Sequence, residues 1–196
     1  MNLVLASASP RRADILRDAG ITFQVKAALI DESLREGELP SDYVQRLALE
    51  KARAVADEAA EQQPDAGATI FIGADTTVVI DGEILGKPES EEDARRMLQR
   101  LSGRVHEVRT GLALIRRPKA WEKLVEEITR VTFARLSDAE IESYIATGEP
   151  FGKAGAYAVQ GIAGRYITRI EGCYFNVVGL PLAKLYSLLR DAGWNG

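Results

Sequence analysis

What most limits the fold of this chain is the alternation of short apolar, β-branched runs with longer stretches of helical period, repeated along nearly its whole length. Leu3-Val4-Leu5 predicts a buried strand that stops at small residues. Ser9 suits a helix N-cap and Pro10 its first position, so Arg11 to Ala19 reads as a helix, with Ile15, Leu16 and Ala19 inward and Gly20 as its stop. "ITFQVKAAL" alternates as a strand. Ser41 to Gln62 reads as a long helix, with Val44, Leu47, Ala48, Leu49, Ala52 and Val55 near a 3.6 period. "ATIFIGADTTVVIDGEIL" forms two strand-like halves about Asp81-Gly82, a strong hairpin signal.

The second half continues the pattern. "SEEDARRMLQRLSG" predicts a helix capped by Ser90 and followed by Gly103. Two long strands follow, "HEVRTGLALIRR" and "LVEEITRVTFARL", antiparallel across Pro118-Lys119-Ala120-Trp121. "SDAEIESYIATGEP" carries a capping box, Ser137 with Glu140, and stops at Gly148. "YITRIEGCYFNVVG" reads as strand, and "LPLAKLYSLLRDAG" as a Pro-initiated amphipathic helix. Alternating strands and helices imply an α/β fold. The expectation is an elongated mixed sheet with helices around it, in two lobes with a central cleft. At 196 residues the chain is expected to be a single domain over 1–196.

Composition matters here for what it excludes. With 46% hydrophobic and 28% charged residues, the chain has the make-up of an ordinary globular protein. No apolar run approaches a membrane span, and the N-terminus leads into arginines instead of a signal-peptide cleavage site, so no membrane partner is expected. One cysteine, Cys173, excludes an internal disulfide framework and fits a reducing cytoplasm. A net charge of −4 supplies no field to draw in nucleic acid, so any bound anion must be held by local groups.

Four places resist a purely structural account. The first is "LASASPRR": Arg11 and Arg12 oppose the positive end of a helix dipole, at roughly 0.3–1 kcal/mol each. They are either solvated surface residues or phosphate ligands. A Ser-rich turn leading to a helix N-terminus presents outward N–H groups, and two guanidinium forks with the Ser7 and Ser9 hydroxyls would complete an anion site. The second is Asp75 in "IFIGADTTVVI", flanked by β-branched and apolar residues. It sits in a bulge, pairs with a structural arginine, or is a buried carboxylate able to hold a divalent cation or take a proton from water.

Lys51 is the third, lying on the apolar stripe of its helix after Val44, Leu47 and Ala48. Its stem either snorkels along that face or aims the ammonium into a cleft as a point charge for phosphate. The fourth is "GEPFGKAGAYAVQGIAGRY", whose glycines let backbone approach a ligand. Within it Lys153 adds charge, and Gln160 offers a donor–acceptor pair suited to a base edge. Other mechanisms fall away. There is no G-x-x-x-x-G-K-[ST] and no G-x-S-x-G, and one histidine with one cysteine leaves neither a thiol or imidazole zinc site nor room for a Ser-His-Asp triad. His106 reads as a packing or capping residue at the start of a strand. Cations for phosphate, with carboxylates for metal and water, point to metal-assisted phosphoanhydride chemistry.

"LASASPRR", "DES", "LALEKA", "GADTTV", "LGKP", "LSGRVHEVRT", "GEPFGKAGAYAVQG" and "GCYFNVVGLPL", in that order, resemble the Maf family of nucleoside triphosphate pyrophosphatases. The resemblance implies a fold akin to inosine triphosphate pyrophosphatases and hydrolysis of a nucleoside triphosphate to monophosphate and pyrophosphate with Mg²⁺ or Mn²⁺. It implies Asp75 as proton acceptor, Arg11 and Arg12 in the arginine motif, Lys51 and Lys87 as phosphate-side lysines, and Glu32 as an acidic position that helps hold the metal with Asp75. Thr76, Lys153, Tyr157 and Gln160 match the pattern of members acting on dTTP and UTP, with modified pyrimidine nucleotides as further candidates. The alternatives are 7-methyl-GTP or non-standard purine nucleotides, or a nucleotide-binding regulator of septum formation without turnover. The partner implied is the nucleotide, and a homodimer is the assembly left open.

Overall fold

The computed structural model describes residues 1–62, 67–118 and 121–196. Its strands are β1 (Asn2–Leu5), β2 (Gln24–Val25), β3 (Thr69–Ile80), β4 (Glu83–Leu85), β5 (Val105–Arg117), β6 (Trp121–Phe133) and β7 (Ile167–Glu171). They form one mixed sheet in the order β2-β1-β3-β5-β6-β7, with β4 paired to β3. The helices are α1 (Pro10–Asp18), α2 (Pro40–Gln62), α3 (Glu91–Leu101), α4 (Asp138–Ile145), α5 (Tyr174–Val178) and α6 (Leu182–Asp191). This is the α/β class that the alternation predicted. Lys119 and Ala120 of the connection between β5 and β6 lie outside the described residues.

The chain gathers into two compact units. The first comprises Met1–Asp75, Thr110–Glu127 and Gly179–Gly196. In it β1 runs parallel to both β2 and β3, pairing Asn2–Leu5 with Thr69–Ile72. One cluster of its core joins Val4, Ala6 and Phe71 to Ala48, Ala52, Val55 and Ala56 of α2 and to Ala113 and Ile115 of β5. Small residues dominate that list because α2 lies almost directly on the strands. A Cβ on Gly73 of β3 would stand 2.0 Å from the Ala48 carbonyl oxygen, and one on Gly111 of β5 would stand 2.1 Å from that of Val44. Glycine is required at both positions by this close approach.

The second unit comprises Thr76–Arg109 and Ile128–Val178. Its core packs Val78, Leu98, Leu101, Phe133, Ile141, Tyr144 and Tyr157 together. The Asp81-Gly82 hairpin forms as its sequence predicts: Asp81 (φ 55°) and Gly82 (φ 78°) both take the left-handed conformation, and β4 folds back antiparallel on β3. Ser90 caps α3 by accepting from the Asp93 N–H at 3.1 Å. Ser137 and Glu140 form the full capping box of α4.

Two strand expectations need correction. "ITFQVKAAL" supplies only Gln24–Val25, and both residues are exposed. "YITRIEGCYFNVVG" is strand only to Glu171, after which Gly172 (φ 125°) turns the chain and Tyr174–Val178 coils as α5. Asn176 is the cause: its side-chain amide is buried and donates to the Val108 carbonyl and to Thr129 Oγ1, each at 3.0 Å.

Candidate active site

Within the first unit, three segments bring charge to one point. Asp75 projects from a β3 that is buried along nearly its whole length. Lys51 lies on the buried face of α2, between Ala48 and Ala52. Glu32 comes from the chain ahead of α2. The Lys51 ammonium donates to Asp75 Oδ1 at 2.6 Å and meets Glu32 Oε1 at 2.7 Å. Lys51 and Asp75 are sequestered, with side chains 8% and 11% exposed, whereas Glu32 is 47% exposed. Of the two roles open to Lys51, snorkelling is therefore replaced by a paired, inward ammonium. The close packing of Gly73 on α2 sets this geometry, because it fixes the helix turn carrying Lys51 beside the middle of β3, which carries Asp75.

The segment holding Glu32 is itself tied down, by residues that periodicity did not single out. The Tyr43 hydroxyl donates to the Glu32 backbone carbonyl at 3.0 Å. Burial, then the negative charges of Asp75 and Glu32, push the Tyr43 phenol up to about 12, so it stays a donor. Arg46 donates to both Glu38 carboxylate oxygens, at 2.5 and 2.7 Å, and to the Ser33 carbonyl at 3.1 Å. Those Arg46 bonds hold the Glu38 carboxyl down at about 2. Asp31 accepts from both the backbone N–H and the hydroxyl of Ser33, an Asx-turn that shapes the chain around Glu32.

The N-terminal turn is a second cluster in the same unit. Ser7 is buried, and its Oγ accepts from the Ser9 N–H at 3.2 Å and from Arg12 at 3.1 Å. Arg12 is also buried and donates through Nε to the Gly179 carbonyl at 2.8 Å. Burial lowers its guanidinium pKa, with Asp75 and Glu32 pulling the other way. Ser9 occupies the N-cap position of α1, but its side chain makes no cap bond, which corrects the expected cap. No acidic residue enters the first turn, and the half-buried Arg11 sits at its start. Within that turn Pro10 has no N–H to satisfy, and the Ala13 N–H donates to the Ser9 carbonyl at 3.4 Å.

The remaining predicted residues lie in the second unit. Thr76 follows Asp75 on β3 and is half-buried, while Lys87 is exposed in the turn after β4. The Gly155 N–H donates to the Gly86 carbonyl at 3.0 Å, so the Lys87 turn and the loop after α4 lie side by side. Lys153 Nζ donates to the Glu149 carbonyl at 2.5 Å, and Gln160 is exposed. Tyr157, matched to the family motif, is a core residue here. Its hydroxyl lies 2.8 Å from His106 Nε2, and both rings stack edge-on with Phe133. His106, the second residue of β5, is buried and packs as expected, and burial lowers its pKa to about 4.

Whether these residues suit a divalent cation can be judged from the donor set. Among the described residues no group of three or more His, Cys, Asp or Glu side chains is placed to hold a metal alone. Glu32 and Asp75 do reach the same cationic nitrogen, so one cation can be shared between them. Two carboxylates plus oxygens from phosphate and water is a donor set that suits Mg²⁺. The residues fit a cation that arrives with a phosphate ligand.

The chain is similar to known proteins along nearly its whole length. The chain is 52% identical over 98% of its length to a dTTP/UTP pyrophosphatase of Koribacter versatilis (strain Ellin345), covering 95% of that protein. It is 50% identical over 98% of its length to proteins of the same name from Geotalea uraniireducens (strain Rf4) and Anaeromyxobacter dehalogenans (strain 2CP-C), covering 95% and 94% of them. The family described as Maf-like protein matches residues 2–192, a span that includes both clusters of the first unit and the glycine-rich loop of the second. The chain belongs to the Maf-like protein family.

Proposed function

We propose that this protein is a pyrophosphatase that hydrolyses dTTP and UTP, and modified pyrimidine nucleotides of the same shape, to the monophosphate and pyrophosphate. The observation that carries the reading is the pairing of Lys51 with Asp75 and Glu32 in a chain about half identical to relatives of that name. A pure nucleotide binder gains nothing from two carboxylates beside phosphates, whereas a hydrolase needs them.

Each group has a role its chemistry suits. Arg11, the N-terminus of α1 and the Ser7 hydroxyl bind phosphate oxygens. With the Ser7 oxygen already accepting two bonds, it meets phosphate through its O–H. Ser9 adds a second hydroxyl, and Arg12, anchored to Gly179, holds the turn in shape and contributes fixed positive charge. Lys51 and Lys87 neutralise the phosphates. Asp75 takes the proton from the water that attacks the α-phosphorus, and pyrophosphate leaves. Mg²⁺ or Mn²⁺, held by Glu32 and Asp75, would supply charge neutralisation on the phosphates. Thr76, Lys153 and Gln160 are assigned to the base and sugar, with the Gln160 amide complementary to the O4 and N3–H of a uracil or thymine base. A reducing cytoplasm is the compartment that the single Cys173 suits.

A panel of nucleoside triphosphates, with and without Mn²⁺, tests this by direct identification of products. Pyrophosphate and monophosphate should form fastest from dTTP and UTP and only with the metal. Turnover confined to 7-methyl-GTP, or none on any nucleotide, contradicts it.

A further inference from the structure

The loop after α4 carries two residues read as nucleotide contacts, Lys153 and Gln160, and both lie beside Glu149, a residue of the same motif to which the sequence assigned no role. Glu149 turns its carboxylate back into its own loop. Oε2 accepts from the Ile162 N–H at 2.9 Å, and Oε1 accepts from the Tyr144 hydroxyl at 2.9 Å and the Ala163 N–H at 3.2 Å. Its backbone carbonyl accepts from Lys153 Nζ. Burial alone would raise this carboxyl, but the bonds from Ile162, Tyr144 and Ala163 outweigh it and the net shift is downward. A charged acceptor of three hydrogen bonds is therefore the fixed point of the segment.

Gly161 shows how tightly the segment is held. A Cβ there would come within 2.6 Å of both Glu149 carboxylate oxygens, although its backbone (φ 176°) is one that any residue adopts. The need for glycine is contact with the carboxylate, not backbone conformation. Gln160 is covalently next to this residue and two positions from the first bonded N–H. Its side chain is exposed, so nothing in front of it sets its place. The hold comes from behind.

We propose that Glu149 is a positioning residue for base selection: it fixes the backbone from 160 to 163 so that the Gln160 amide meets a pyrimidine base edge at one distance. This rests on Gln160 reading the base. Two substitutions disturb the hold by different routes. Glu149→Gln keeps the shape but removes the charge facing two N–H groups, and Gly161→Ala leaves the charge and displaces the carboxylate.

The test measures kcat and KM for dTTP, dCTP and GTP in the wild type, both variants, Gln160→Ala, and each variant combined with Gln160→Ala. In both single variants, KM for dTTP should rise about tenfold with kcat within about threefold, and preference for dTTP should fall toward that of Gln160→Ala. The combined variants should lose nothing beyond Gln160→Ala alone. An equal loss on all three nucleotides, or fully additive losses, reduces Glu149 to a stabilising residue and overturns the proposal. Unchanged selectivity in Gln160→Ala overturns the base-reading role and this proposal with it. Should Glu149→Gln fail to fold, Gly161→Ala carries the test.

Discussion

The ammonium of Lys51 meets Asp75 and Glu32 inside a helix face that is otherwise apolar. Lys51 and Asp75 are sequestered and costly to desolvate, and the arrangement persists because each has an opposite partner in reach. His106 shows the opposite solution, a titratable side chain kept neutral. Its folded pKa of about 4 lies below its ordinary value of 6.5 because burial disfavours the imidazolium. The unfolded chain therefore takes up the proton first. This contribution is complete above pH 6.5, shrinks as the pH falls, and is gone near pH 4, a span worth about 3 kcal/mol. Unfolding titrations with denaturant at pH 7.5, 5.5 and 4 should show that slope in the wild type and a flatter one in His106→Gln. Equal slopes would show that His106 charges freely in the folded protein.

Among the elements, α2 and β3 do most to shape the site, and their close contact hangs on Gly73. Alanine there would press a methyl group against the Ala48 carbonyl and Ala52, and overpacking of that kind costs about 1–3 kcal/mol. Gly73→Ala should lower thermal stability and, by lifting Lys51 from Asp75, lower turnover as well. Gly67→Ala, with no atom within 4 Å of its added Cβ, should change neither. A Gly73→Ala protein with wild-type stability would sink this account of the packing. Helix starts and the hairpin were legible in the sequence because their determinants are local: Ser90 and Ser137 with their N3 partners, and Asp81-Gly82. Strand length was less so. Val25 and Leu29 alternate correctly yet are exposed, and Asn176 bends an apolar run into α5 through bonds to residues far away in sequence. The site divides the same way. Arg11, Arg12, Lys51 and Asp75 stood out by breaking a local pattern, whereas Tyr43, Arg46 and Glu149 look ordinary until their partners are known.

Across the whole molecule, the residues proposed to act on nucleotide are drawn from segments spread along the chain, which is why the ordered set of short motifs carries more information than any one of them. The arginine turn and the Glu32–Lys51–Asp75 cluster lie in the first unit, and Lys87 and the loop held by Glu149 lie in the second. Phosphate binding in this account is shared among many cations and N–H groups, so the loss of one weakens it by degrees. Proton removal is assigned to a single carboxylate. Asp75→Asn keeps the size of the side chain and an oxygen to accept from Lys51, so the fold and nucleotide binding should survive. The most direct measurement is pyrophosphate release from dTTP in a single turnover, with nucleotide affinity measured alongside by calorimetry. Release should fall by about 10²–10⁴-fold in Asp75→Asn, as loss of a general base predicts, with affinity within a few-fold of wild type. Release at the wild-type rate would contradict the assignment of the reaction to Asp75.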